Sequence, residues 1–142
     1  MLNILVPIDG SDCALRALND AIGLAKESGG DAQIHLLNVQ LPIISGHAKM
    51  FLSKDTIDNY YKAESDAALA GALAAARASG VRFQADMRAG PLGQTIADYA
   101  KEKHCDRIVM GTRGLGAVGG LVLGSVAQKV IHLSAVPVTL VK

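Results

Sequence analysis

Apolar residues recur along this chain in two alternating rhythms. Leu2 to Ile8 is a run rich in Ile and Val that stops at Asp9-Gly10-Ser11. Continuous rather than alternating hydrophobicity marks a strand covered on both faces, as in a parallel sheet. Ala14, Leu18, Ala21, Ile22 and Ala25 then fall at helical spacing, with Gly29-Gly30 as the stop signal. Ala32 to Val39 reads as a second strand. Leu41 to Asp55 has no clean period, contains Pro42, Gly46 and Ser53, and reads as a loop. A long helix follows from about Thr56 to Ser79, alanine-rich in its second half and closed by Gly80. Val81 to Met87 is a weaker, alternating strand, which places it at a sheet edge. Gly90-Pro91 opens a helix through about Lys103, with Pro91 at the first helical position. Arg107 to Gly111 is a fourth strand, and Thr112 to Gly124 a glycine-rich loop. Ser125 begins a helix with the capping-box pattern Ser125-x-x-Gln128, and Val136 to Val141 is a fifth strand.

Five strands alternating with four helices predict an α/β, doubly wound parallel sheet. Right-handed crossovers constrain the topology and leave strand order open. The chain has 142 residues and shows no repeat or linker, so residues 1–142 are read as one domain. Half of the residues are hydrophobic and 19% are charged, which excludes disorder. A net charge of +1 and 4% aromatic residues argue against nucleic acid and anionic membranes as partners. The amino terminus lacks a basic segment and does not read as a signal peptide; the expected location is cytoplasmic.

Ligands of such sheets sit at the carboxyl ends of the strands, where strand order reverses. The residues to question are therefore Asp9-Gly10-Ser11, Val39-Gln40, Ala89-Gly90 and the segment from Gly111. Met110-Gly111-Thr112-Arg113-Gly114-Leu115-Gly116, followed by Gly124-Ser125, combines close-approach glycines with a helix amino terminus. By spacing alone this fits equally a phosphate cradle and a glycine loop before an ordinary capped helix. It is neither a P-loop nor a dinucleotide fingerprint, because Gly-Lys-Ser/Thr is absent and Asp9-Gly10-Ser11 follows the first strand. His35, His47, His104 and His132 are dispersed without metal-ligand spacing, and Cys13 and Cys105 match no zinc or redox pattern. Cys13 is expected to be buried and inert.

The arrangement Gly111-x2-Gly114-x9-Gly124-Ser125 resembles the nucleotide-binding signature of the universal stress protein family. Ile4-Leu5-Val6-Pro7-Ile8-Asp9-Gly10-Ser11, Leu123-Gly124-Ser125-Val126 and the closing Val136-Pro137-Val138-Thr139-Leu140-Val141 are similar to the same family, so the likeness covers essentially the whole chain. The resemblance implies a sheet in order 3-2-1-4-5, a dimer, and ATP or another adenine nucleotide (ADP or AMP) at the switch point; in that order Val136–Val141 is an edge strand free of charge, so the homodimer is expected to pair through it. It also implies roles for single residues. Asp9 would meet the ribose hydroxyls, Pro7 and Ile8 the base, and Val39 the adenine through its backbone. Met110, Gly111, Arg113 and Gly114 would carry sugar and phosphates, with Gly124, Ser125 and Val126 closing from the helix.

Two departures stand out. Leu115 to Leu123 holds no Lys or Arg, and Ala127 stands where nucleotide-binding relatives often carry a hydroxyl. Arg113 is then the one cation of the motif, with Lys49 or Lys54 as candidate substitutes. Magnesium is the companion expected of a triphosphate, although no carboxylate pair for it is visible. No residue is evidently suited to orienting an attacking water, so the expected function is nucleotide-dependent regulation or stress response with little or no hydrolysis. The alternative is a dimeric interaction module whose nucleotide site is weak or unused.

Overall fold

The computed structural model describes residues 1–42, 52–115 and 122–142. Their apolar pattern folds into strands β1 (Leu2–Pro7), β2 (Ala32–Gln40), β3 (Phe83–Ala89), β4 (Arg107–Gly111) and β5 (Val138–Val141). Four helices alternate with them: α1 (Asp12–Glu27), α2 (Lys54–Ser79), α3 (Leu92–Glu102) and α4 (Ser125–Leu133). All pairings are parallel and the order is β3-β2-β1-β4-β5, as the resemblance implies.

Alternation along the central strands divides the core. Ile4, Val6, Ile34, Leu36 and Val109 face α1 and α2, while Leu5, Leu37, Ile108 and Met110 face α3 and α4. Because the central strands are covered on both sides, their sequences read as unbroken apolar runs. On the first face Ala14, Ala17, Ala21 and Ala25 of α1 and Ala72 and Ala76 of α2 are all buried. Such small side chains let the helices lie close to the sheet.

Several element ends differ from their expected places. Helix α2 starts at Lys54, because Ser53 caps it by accepting from the Thr56 N–H at 3.1 Å. Strand β3 lies two residues later than its alternation suggests, its register set by Ile34↔Phe83 through Gln40↔Ala89; it does lie at an edge. Pro91 is the residue before α3 rather than its first helical position, holding an extended ψ of 129° while its carbonyl accepts from Thr95 N–H at 2.9 Å. Ser125 is the first residue of α4 and not its cap. Gly124 is the cap, with φ −74° and ψ 163°, and Gln128 Nε2 donates to the Leu123 carbonyl rather than back to a cap N–H. Strand β5 begins at Val138, since Val136 is held in a turn by Ser134 Oγ.

Candidate functional site

Strand order reverses at β1, with β2 and β3 on one side and β4 and β5 on the other. At the carboxyl ends of β1, β2 and β4 a cleft of about 690 Å³ opens, and every residue named from the sequence as a ligand contact lines it. These are Pro7, Ile8, Asp9, Val39, Met110, Gly111, Arg113, Gly114, Gly124, Ser125 and Val126.

Asp9 organises the centre of this cleft. Its Oδ1 accepts from Ser11 N–H at 2.9 Å, forming the side-chain turn that leads into α1. Its Oδ2 accepts from Leu115 N–H at 3.1 Å, fastening the loop after β4 to the end of β1. Gly10, between Asp9 and Ser11, has φ +89°, and a Cβ there would stand 3.4 Å from Ala68 Cα of α2. The turn requires glycine for its conformation, and the helix leaves little room beside it.

The loop glycines have internal reasons to be glycine. A Cβ on Gly114 would run into Asp9 Oδ2, and one on Gly111 would lie 2.7 Å from Cys13 Sγ. A Cβ on Gly124 would approach Thr112 O to 3.3 Å. Thr112 closes the loop. Its N–H donates to Val141 O at 2.9 Å and its carbonyl accepts from Gly124 N–H at 2.7 Å, which sets the amino end of α4 beside the end of β4. The N–H groups of Ser125, Val126 and Ala127 belong to the first turn of α4, where no intrahelical acceptor exists. Ser125 is exposed there, and Arg113 stands half-buried in the cleft wall.

The wall around Pro7, Ile8 and Val39 is braced by amides. Asn38, 3% exposed, donates from Nδ2 to Ile8 O at 2.8 Å, and Gln40 Nε2 donates to Asn38 Oδ1 at 2.6 Å. Gln40 is among the strand-end residues named from the sequence; Asn38 is not, nor are Tyr60, Glu64 and Ala68, which bring α2 to the cleft. Their spacing of four residues puts them on one helical face, the one signal that could have grouped them.

Cys13 is buried, as expected, beneath the glycine loop, and its Sγ donates to Val141 O at 3.2 Å. Burial pushes its thiol up, but the backbone N–H groups of Arg113 and Thr112, the Thr112 side chain and the Arg16 charge together hold it below the ordinary thiol value. Cys105, buried away from such donors and near Asp106, is pushed up to about 11. Among the described residues no group of three or more His, Cys, Asp or Glu side chains is placed to hold a metal. Each Asp9 oxygen accepts one backbone N–H. Lys54 opens α2 outside the cleft lining; Lys49 and His47 lie outside the described residues.

The chain is similar to known proteins over nearly its full length. The model of the universal stress protein family matches residues 1–142. A universal stress protein of Methanocaldococcus jannaschii, MJ0531, is 36% identical over 141 residues, covering 98% of this chain and 81% of that protein. YxiE, a universal stress protein of Bacillus subtilis, is 34% identical over 146 residues, covering 98% of this chain and 97% of its own. Among solved structures, a universal stress protein in complex with cAMP superposes with a TM-score of 0.75 at 28% identity, covering 99% and 97% of the two chains. The Archaeoglobus fulgidus protein in complex with dAMP gives 0.70 at 25% identity, covering 100% and 98%. A glycine-spaced loop closed onto a helix terminus, a sheet in the order that the resemblance implies, and a family match from the first residue to the last lead to one conclusion: the chain belongs to the universal stress protein family.

Proposed function

We propose that residues 1–142 act as one adenine-nucleotide-binding unit of regulatory or stress-response type, taking ATP, ADP or AMP in the cleft between β1 and β4. The observation that carries this reading is the convergence of Asp9, Val39 and the Gly111–Gly114–Gly124-Ser125 loop on one cleft at the reversal of strand order. The cAMP and dAMP complexes of the structural relatives support it. In this reading Pro7, Ile8 and Val39 hold the base, Asp9 faces the ribose, and Arg113 with the amino end of α4 meets phosphate.

Hydrolysis is slow or absent. Phosphoryl transfer requires an aligned water and neutralised charge at the leaving group. Arg113 is the one basic side chain among the described residues lining the cleft. The protein works in the cytoplasm as a homodimer paired through β5. That strand lies at the sheet edge and reads Val-Thr-Leu-Val, without the charge that ordinarily blunts an edge.

Nucleotide released from purified, denatured protein and resolved by chromatography tests the reading, together with melting curves in AMP, ADP and ATP. Free ligand at a hundred times its dissociation constant stabilises by about 2.7 kcal/mol, a clear rise in melting temperature. No copurified nucleotide and no rise with any of the three would favour an interaction module with an unused site. One observation favours that second reading: each Asp9 oxygen accepts a backbone N–H, a structural role that needs no nucleotide.

A further inference from the structure

The charge of the cleft walls bears on how many phosphates the site accepts. Among the described residues that line it, the ionisable side chains of formal charge are Asp9, Glu64 and Arg113, two acids against one base. Glu64 faces the cleft for a helical reason. Tyr60, Glu64 and Ala68 recur every four residues along α2, all three line the cleft, and Ala68 abuts the Gly10 turn. Glu64 therefore stands one helical turn from the contact that α2 makes beside Asp9.

Two bases, one on α1 and one on α2, are turned to other tasks. Arg16 Nε donates to Lys142 O at 2.7 Å, and Lys62 pairs with Asp66 at 2.7 Å, both away from the cleft lining. Backbone donors are limited as well. Gly124 N–H is taken by Thr112 O and Leu115 N–H by Asp9, while the first-turn N–H groups of Ser125, Val126 and Ala127 have no intrahelical acceptor. One phosphate group presents three acceptor oxygens and a charge of about −1.5 to −2. The first turn of α4 and Arg113 suffice for one such group. A second or third phosphate brings more negative charge, no further cation among the described lining residues to meet it, and carboxylates in the surrounding walls.

We infer that this cleft selects adenine nucleotides bearing a single phosphate and, without a divalent cation, discriminates against the diphosphate and triphosphate. The inference rests on the nucleotide reading above and adds a ligand class to it. Apolar walls confine the field of the charged groups, so the penalty grows with each phosphate and weakens in salt.

The test is titration calorimetry on the full chain with AMP, ADP and ATP, in chelator-treated buffer of low ionic strength. Affinity is expected to fall from AMP to ADP to ATP, by about tenfold overall. Glu64→Gln removes an acid from the wall, and Leu115→Arg adds a base at its rim while keeping the N–H that Asp9 accepts. Both positions are exposed, so the fold tolerates the changes. Each variant is expected to narrow the AMP-to-ATP ratio, and raising the salt to narrow it in the wild type. ATP binding as tightly as AMP, or a ratio unmoved in both variants, would overturn the inference while leaving nucleotide binding intact. Failure of all three nucleotides to bind would overturn the nucleotide reading itself, and this inference with it.

Discussion

The two faces of the sheet are drawn from the same strands and solve burial differently. Toward α1 and α2 the packing is largely apolar, with Val6, Ile34, Leu36, Ala17, Leu18 and Ala72 fully buried. Toward α3 the same strands bury His35, whose Nε2 lies 3.2 Å from Asn3 Oδ1 and whose Nδ1 has no hydrogen-bond partner. Tyr99, 1% exposed, packs edge-on at 6.2 Å from His35 and donates its hydroxyl to Asp86 Oδ2 at 2.7 Å. Arg88 reaches over the Tyr99 ring at 5.1 Å and pairs with Glu102 at 3.3 Å. The first face derives its strength from shape; the second adds charge and protonation. Stability should therefore answer to packing changes on one face and to pH and polar deletions on the other.

The sharpest way to break this comparison is on the apolar face. Leu36→Ala removes a fully buried side chain and is expected to cost about 2–5 kcal/mol, read by urea denaturation, with the pH dependence of stability unaltered. A loss under 1 kcal/mol would mean that the face repacks freely. On the other face Tyr99→Phe deletes one hydroxyl and leaves Asp86 to water, since that carboxylate is 33% exposed. The expected loss is about 1 kcal/mol, smaller than for a bond to a buried charge.

The smallest expected effect belongs to His35 and sharpens the comparison most. Burial holds its imidazole below the usual histidine range, helped by Lys103 and opposed by Asp86, while Asn3, Gln84 and Tyr99 complete its surroundings. The unfolded chain then binds the proton more readily than the folded one. Stability is fully present above about pH 6.5, the unfolded value, and declines as pH falls through it toward the lower folded value. Denaturation curves at pH 7.5 and 5.5 should show this decline in the wild type and a smaller one in His35→Gln. An equal decline in both would assign the acid sensitivity to other groups.

Local signals made most of the architecture legible. The run Leu2–Ile8, the alanines of α1 and α2 and the glycines after β4 place nearly every element, because each reflects burial or turning of its own segment. What escaped depends on partners remote in sequence. The Ser125–Gln128 pattern looks like a capping box, yet Thr112 claims Gly124 N–H and moves the cap back one residue. The register of β3 follows from pairing with β2 and not from its own alternation. Glu64 and Tyr60 reach the cleft only because α2 packs over the Gly10 turn, contact information that no short window contains. The residues of the glycine loop, by contrast, were identifiable because a steric requirement is written into residue type.

That Gly114 meets Asp9 rather than open space carries a consequence for how the family's sequences can drift. The pair is one unit of selection although 105 positions separate its members (114 minus 9). A methyl group at 114 displaces the carboxylate at 9, so a side chain at 114 fits only where residue 9 turns away or is smaller. Substitutions at the two should be non-additive, Gly114→Ala costing less once Asp9 is replaced by a smaller residue. Across homologous sequences, a side chain at the position of Gly114 should be accompanied by a smaller residue at that of Asp9, whether or not a nucleotide is ever bound.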